Sequence, residues 1–165
     1  MFEDEVLKDS PIAVLGGGAV GKTCAADCVL GGNKDVRLFE LPEFFDQNLK
    51  NVSKTGITLG GIQKNQYGFK RTGKAFINLI TSNISEAVKD AKLIIVAIPS
   101  VAHDIFFDKL VPVLEDGQII HIIPDNYGSL KLRKKLRETG NTKKVIIGGW
   151  SSAPYGTRVE KEGGV

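Results

Sequence analysis

The densest chemistry in the chain lies between Ile12 and Thr23, which read IAVLGGGAVGKT. An apolar run, Ile12 to Leu15, leads into Gly16, Gly17 and Gly18, and the stretch from Ala19 to Cys28 is small and helix-compatible. Strand, glycine turn and helix in that order make a phosphate-binding loop. Glycine lets a ligand approach the backbone, and a helix start offers unpaired N–H groups and partial positive charge to an anion. Two motifs fit the same residues. Gly16, Gly18 and Gly21 satisfy G-x-G-x-x-G, the dinucleotide fingerprint, while Gly16, Gly21, Lys22 and Thr23 satisfy G-x-x-x-x-G-K-[ST], the triphosphate loop.

Glu40 separates the two readings. It stands 19 positions after Gly21, at the end of a second expected strand, Val36 to Phe39. A carboxylate there accepts hydrogen bonds from the adenosine ribose and repels a 2′-phosphate. The triphosphate reading needs a strand ending in a magnesium-binding acid. Its best offer, Ile119 to Asp125, is interrupted by Pro124, and Asn33-Lys34-Asp35 has the wrong spacing for a guanine-reading N-K-x-D. The balance favours a nicotinamide dinucleotide held by Gly16, Gly17, Gly18, Ala19, Val20 and Gly21, with Lys22 expected as a solvated helix residue. NAD(H) is expected over NADP(H), because Arg37 lies three residues before Glu40 and so points to the opposite face of its strand. A triphosphate-binding protein using Gly16 to Thr23 and a stand-alone NAD-sensing or assembly module are the alternatives.

These residues need a sheet to position them. Ile12–Leu15, Val36–Phe39, Ala75–Ile80, Leu93–Ile98, Gln118–Ile123 and Lys144–Ile147 read as six strands. Helices are expected from Ala19 to about Leu30 (stopped by Gly31-Gly32), from Pro42 with Phe44, Phe45 and Leu49 inward, and from an Asn83-x-x-Glu86 capping box. Two more are expected, over Val101 to Leu114 with Ile105, Phe106, Leu110 and Leu114 inward, and over Ser129 to Thr139, stopped by Gly140. Between Asn51 and Lys74 periodicity is lost; a hairpin of Ile57–Leu59 with Tyr67–Phe69 is expected, and Lys64, Lys70, Arg71 and Lys74 read as a solvated loop. Alternating strands and helices of this kind make one Rossmann-type, doubly wound, mostly parallel α/β domain with strand order 3-2-1-4-5-6.

Composition agrees with that architecture and narrows the partners. Nineteen glycines in 165 residues exceed the usual value of about 7% and suit many tight turns. A net charge of +3 is too small to argue for nucleic acid, and the longest aliphatic run, Leu93 to Ile98, is too short for a bilayer. The acidic start MFEDEVLKDS does not read as a targeting peptide, so a cytoplasmic protein is expected. Cys24 and Cys28 read as packing residues, and no metal site is expected.

In a sheet of this order, ligands bind beyond the carboxyl ends of strands one and four. Gly16 to Gly18 would face Ile98, Pro99 and Ser100 there, with His103 one helical turn on and Asn126 in the neighbouring loop. His103 is read either as a contact to ribose or substrate carboxylate or as an idle helix-surface residue, and His121, inside an apolar strand, as structural.

The later half resembles the octopine/nopaline (opine) dehydrogenase family, through TSNISEAVKDAKLIIVAIPSVAHDIFF, LEDGQIIHIIPDNYGSLKLRKKLRETG and GGWSSAPYGTRVEKEGGV. That family's P-x-x-x-H is met by Pro99 and His103, and its Ser/Thr-Ser-x-x-Tyr-x-x-Arg by Ser151, Ser152, Tyr155 and Arg158. Lys22-Thr23 and Asn126-Tyr127 depart from its pattern. The resemblance, from about Pro11 to Val165, implies NAD(P)H-dependent reductive condensation of an amino acid with a 2-oxo acid. It also implies that a helical second domain carries the catalytic His/Asp pair, so catalytic residues are not assigned here and this chain alone is expected to be inactive. A homodimer is the assembly envisaged for the full-length protein.

Overall fold

The computed structural model describes residues 9–60, 71–159 and 165. Its centre is a six-stranded sheet of β1 (Ile12–Leu15), β2 (Val36–Phe39), β5 (Leu79–Thr81), β6 (Leu93–Val96), β7 (Ile119–Ile122) and β8 (Ile146–Gly149), in the order β5-β2-β1-β6-β7-β8. Every pairing is parallel, so the order is the expected 3-2-1-4-5-6. Parallel strands buried on both faces need continuous apolar runs, which Ile12–Leu15 and Leu93–Val96 supply.

Helices cover both faces. On one face α1 (Ala19–Leu30) packs beside α2 (Pro42–Leu49) and the short α3 (Val52–Thr55). The other carries α4 (Ile84–Val88), α5 (His103–Leu110) and α6 (Gly128–Glu138) over a core that includes Phe39, Phe106, Phe107 and Leu132. A hairpin of β3 (Ile57–Leu59) and β4 (Gly73–Ala75) lies against the outer side of α1. Gly21, Cys24, Ala25 and Ala26 are all buried, because α1 is sandwiched between sheet and hairpin and small residues let both approach.

Local corrections follow from tertiary pairing. The partner of Ile57–Leu59 is Gly73–Ala75, whereas Tyr67–Phe69, together with Lys64 and Lys70, lies outside the described residues. The run Ala75–Ile80 is not one strand: its start belongs to the hairpin and its end to β5. β8 sits two residues later than Lys144–Ile147, extending through two glycines because β7 offers them pairing. The α5 region is α-helical only over His103–Leu110, flanked by 3₁₀ turns, and Pro112 falls in the second of them. Ile105 is 42% exposed, and Phe107 takes its inward place. Likewise Phe44 is exposed on α2 while Leu49 is buried.

Asn83 caps α4 by accepting from the Ser85 N–H at 3.1 Å. Glu86 does not return the bond; its carboxylate accepts from the Thr81 hydroxyl at 2.8 Å. Arg71 pairs with Asp27, and Lys74 lies over the Phe76 ring, so these two of the four loop cations are engaged. Among the described residues no helix is long and apolar enough to cross a membrane, and no group of three or more side chains could hold a metal.

Candidate dinucleotide-binding site

The order of strands reverses between β1 and β6, which opens a crevice at their carboxyl ends. Each glycine of the β1–α1 turn has a different steric reason. Gly16 has φ +109°, and a Cβ there would lie 2.5 Å from the Ala97 carbonyl oxygen and 2.7 Å from Ile98 Cγ2. A Cβ on Gly21 would overlap the Gly16 carbonyl oxygen. A Cβ on Gly17 would meet the Leu49 side chain at 2.9 Å. Gly18 alone faces open space, with nothing within 4 Å of a built Cβ. The first glycine therefore turns the chain, the last lets helix and strand touch, and Gly18 leaves the backbone bare toward the crevice.

α1 begins directly behind Gly18, with Ala19 and Val20 half-buried in its first turn. Lys22 is the residue whose N–H reaches the Gly18 carbonyl, at 2.9 Å. The amides ahead of it lack partners within the helix, as at any helix start. No acidic side chain occupies this first turn, so its positive end is left uncompensated.

Glu40, at the end of β2, is 5% exposed. Its Oε2 accepts from Gly17 N–H at 2.9 Å and Asn48 Nδ2 at 2.8 Å, and its Oε1 accepts from Leu41 N–H at 2.8 Å. A carboxylate has about four lone-pair sites, so one remains on Oε1. Glu40 thus ties the glycine turn to α2. Asn48 is a partner that sequence reading missed. The signal was its place on α2, one residue before inward-facing Leu49 and two turns after Leu41. Arg37 turns away as expected, donating to the Glu86 and Lys89 carbonyls and pairing with Asp35 at 2.7 Å.

Lys22 contradicts its expected solvation: it is 5% exposed. Burial lowers its pKa, against a smaller opposing pull from Glu40. The Thr23 hydroxyl donates back to the Ala19 carbonyl at 2.9 Å. Ala19 to Lys22 is already helical, whereas a triphosphate loop needs the backbone before its Lys-Thr free to wrap the phosphates. Asp125 is equally committed, accepting from Ser129 N–H at 2.6 Å and Ser129 Oγ at 2.8 Å at the start of α6.

Across the crevice Ile98 is buried, Pro99 exposed and Ser100 half-buried. Asn126 is exposed in the β7–α6 loop with φ +40°, followed by Tyr127 at φ +66°. His103 is not on a helix surface. It is 1% exposed and stacked on Phe107 at 5.2 Å. A Cβ on Gly128 would meet its ring at 2.6 Å, and its Nε2 has no hydrogen-bond partner. Burial first, then Lys131, lower its pKa. His121 stands edge-on to Trp150 at 5.1 Å. Tyr155 is directed to α1: its hydroxyl donates to Asp27 Oδ2 at 2.9 Å, beside Arg71, and Arg158 is exposed. Burial pushes the Cys24 thiol up to about 12 and the Cys28 thiol up to about 11, so neither is a nucleophile at neutral pH.

No family model matches the chain. An opine dehydrogenase of Arthrobacter sp. (strain 1C) is 31% identical over 161 residues, covering 97% of this chain and 42% of that protein. Octopine dehydrogenase in complex with NADH and agmatine superposes with a TM-score of 0.77 at 20% identity, over 92% of this chain and 37% of that one. Yersinopine dehydrogenase with NADP⁺ bound gives a TM-score of 0.65 at 20% identity, over 85% of this chain and 34% of that one. The chain therefore spans about two fifths of the length of these relatives. Over that span the sequence is similar to that of an opine dehydrogenase, and the fold is that shared by the octopine and yersinopine dehydrogenase structures.

Proposed function

We propose that the chain holds NAD(H) in the β1–β6 crevice as the cofactor-binding part of an oxidoreductase that condenses an amino acid reductively with a 2-oxo acid. The observation that carries this reading is the bare Gly18 backbone in front of α1, flanked by glycines whose Cβ atoms would collide with protein. The pyrophosphate would lie on Gly18, Ala19 and Val20, and the adenosine ribose beside the free lone pair of Glu40. Ile98, Pro99, Ser100 and Asn126 would border the remainder. When bound, the nicotinamide supplies the hydride; the chain's own residues bind and orient it. L-Arginine and pyruvate are each present with NADH in solved octopine dehydrogenase complexes, and an amino acid and a 2-oxo acid are the proposed small-molecule partners here.

NAD(H) is favoured over NADP(H) because Glu40 is followed by Glu43 in the first turn of α2, and Arg37 is engaged elsewhere. Calorimetry with NADH, Mg-ATP and Mg-GTP tests the central reading. NADH should bind without magnesium. Magnesium-dependent binding of either triphosphate with no response to NADH would overturn it.

A further inference from the structure

Two adjacent residues at the end of α2 touch the glycine turn and its acid. Leu49 is fully buried and lies against Gly17, where a Cβ would meet its Cδ2 at 2.9 Å. Asn48, half-buried, reaches back over eight residues and donates its Nδ2 to Glu40 Oε2 at 2.8 Å. The Gly17 N–H donates to the same oxygen at 2.9 Å, and the Leu41 N–H to Oε1 at 2.8 Å. Two of these three donors are backbone amides, and Asn48 is the side chain among them. With one bond on each oxygen, a carboxylate still rocks about its last torsion, whose wells are broad. The second bond on Oε2 fills the lone-pair sites of that oxygen and leaves the open one on Oε1.

We propose that Asn48 is a positioning residue of the dinucleotide site: it fills Oε2 of Glu40 and so aims the open lone pair of Oε1 at an adenosine ribose hydroxyl. The inference rests on the reading of Glu40 as the residue beside the adenosine ribose. A hydrogen bond to a hydroxyl is directional and weakens steeply off its axis. Repulsion of a 2′-phosphate follows the charge of the carboxylate and its distance, which a small rotation about the last torsion changes little. Asn48 therefore acts on NADH more than on NADPH. An asparagine that only fastened α2 to the glycine turn would affect both cofactors alike.

The test compares dissociation constants for NADH and NADPH, read by nicotinamide fluorescence at low ionic strength. The proteins are the unmodified chain, Asn48→Ala, Asn48→Leu, Glu40→Gln and the double variant Asn48→Ala/Glu40→Gln, each checked for folding by circular dichroism. Alanine suits a helix and leucine keeps the volume without the donor; if one fails to fold, the other decides, and Glu40→Ala stands in for Glu40→Gln on the same terms. The ratio of the NADPH to the NADH constant should fall by about threefold in the Asn48 variants and further in Glu40→Gln, where Asn48→Ala should add nothing. An unchanged or raised ratio in the folded Asn48 variants, with a lowered ratio in Glu40→Gln, would refute the inference and leave the proposed site standing. So would an Asn48 effect that persists in the double variant, which would set Asn48 against the cofactor itself. An unchanged ratio in Glu40→Gln would instead refute the placement of Glu40, and the role of Asn48 with it.

Discussion

At the scale of single residues, the glycine turn separates folding from binding. Gly21 and Gly18 belong to the same fingerprint, yet a methyl group on one strikes the Gly16 carbonyl and on the other meets nothing. Gly21→Ala should therefore lower stability by about 1–3 kcal/mol, the usual cost of overpacking, measured as a fall in the urea midpoint. Gly18→Ala has φ −72° and free space, so its midpoint should stay near that of the unmodified chain. Its NADH affinity should fall by about tenfold or more, because the methyl group occupies the approach to the backbone. Equal loss of stability in both variants would show that Gly18 serves packing alone. The identity of these glycines was legible from spacing; which of them leaves its backbone open was not, since that depends on Ala97, Ile98 and Leu49 arriving from elsewhere in the chain. Lys22 was misread too: its residue is buried, which the local helix pattern does not show. Nothing within α1 tells that a hairpin later in the chain lies over the helix.

At the scale of elements, strands were read more faithfully than helix faces. β1 and β6 are apolar throughout and need no register to be recognised, whereas α5 faced the core with Phe107 where the period offered Ile105. The lapse matters because Phe107 is the residue on which His103 stacks, sealing the imidazole between α5 and the first residue of α6. Asp125 and Asp104 favour its charged form, but burial and Lys131 outweigh them and the folded pKa lies below 6.5. The unfolded chain then binds more protons than the folded one as pH falls, so the contribution to stability is whole above about pH 6.5 and is lost on acidification. Urea denaturation between pH 7.5 and 5 should show stability declining by at most about 1.4 kcal/mol per pH unit from this group. His103→Leu should flatten that decline, although His121, shifted the same way by burial, keeps part of it. An identical slope in the variant would place the acid sensitivity elsewhere.

At the scale of the whole molecule, the segment after β8 does what a missing helix would do. α5 and α6 both lie on one face of the second half of the sheet, and on the opposite face Ala153 and Tyr155 pack into the core built around α1. Val165 then reaches the far side, its N–H donating to the Thr58 carbonyl and its carbonyl accepting from Gly60 N–H, both at 2.9 Å. Residues on both sides of α1, Ala153 and Tyr155 in its core and Val165 on the hairpin, thus come from the chain after β8. Sequence reading found no periodicity here, and residues 150–159 form neither helix nor strand; their anchors are single residues. Tyr155 is an anchor with both an apolar body and a hydrogen-bonded, part-buried polar tip, and its hydroxyl shares Asp27 with Arg71. Removing the hydroxyl in Tyr155→Phe should lower stability by about 1 kcal/mol, the net worth of such a bond, with Arg71 still satisfying the carboxylate. NADH affinity should not change, since Asp27 lies more than two helical turns beyond Gly18 on α1. Denaturation and NADH titration on the same preparation decide the matter. A loss of affinity without a loss of stability would move Tyr155 from anchoring the segment after β8 to contacting the cofactor.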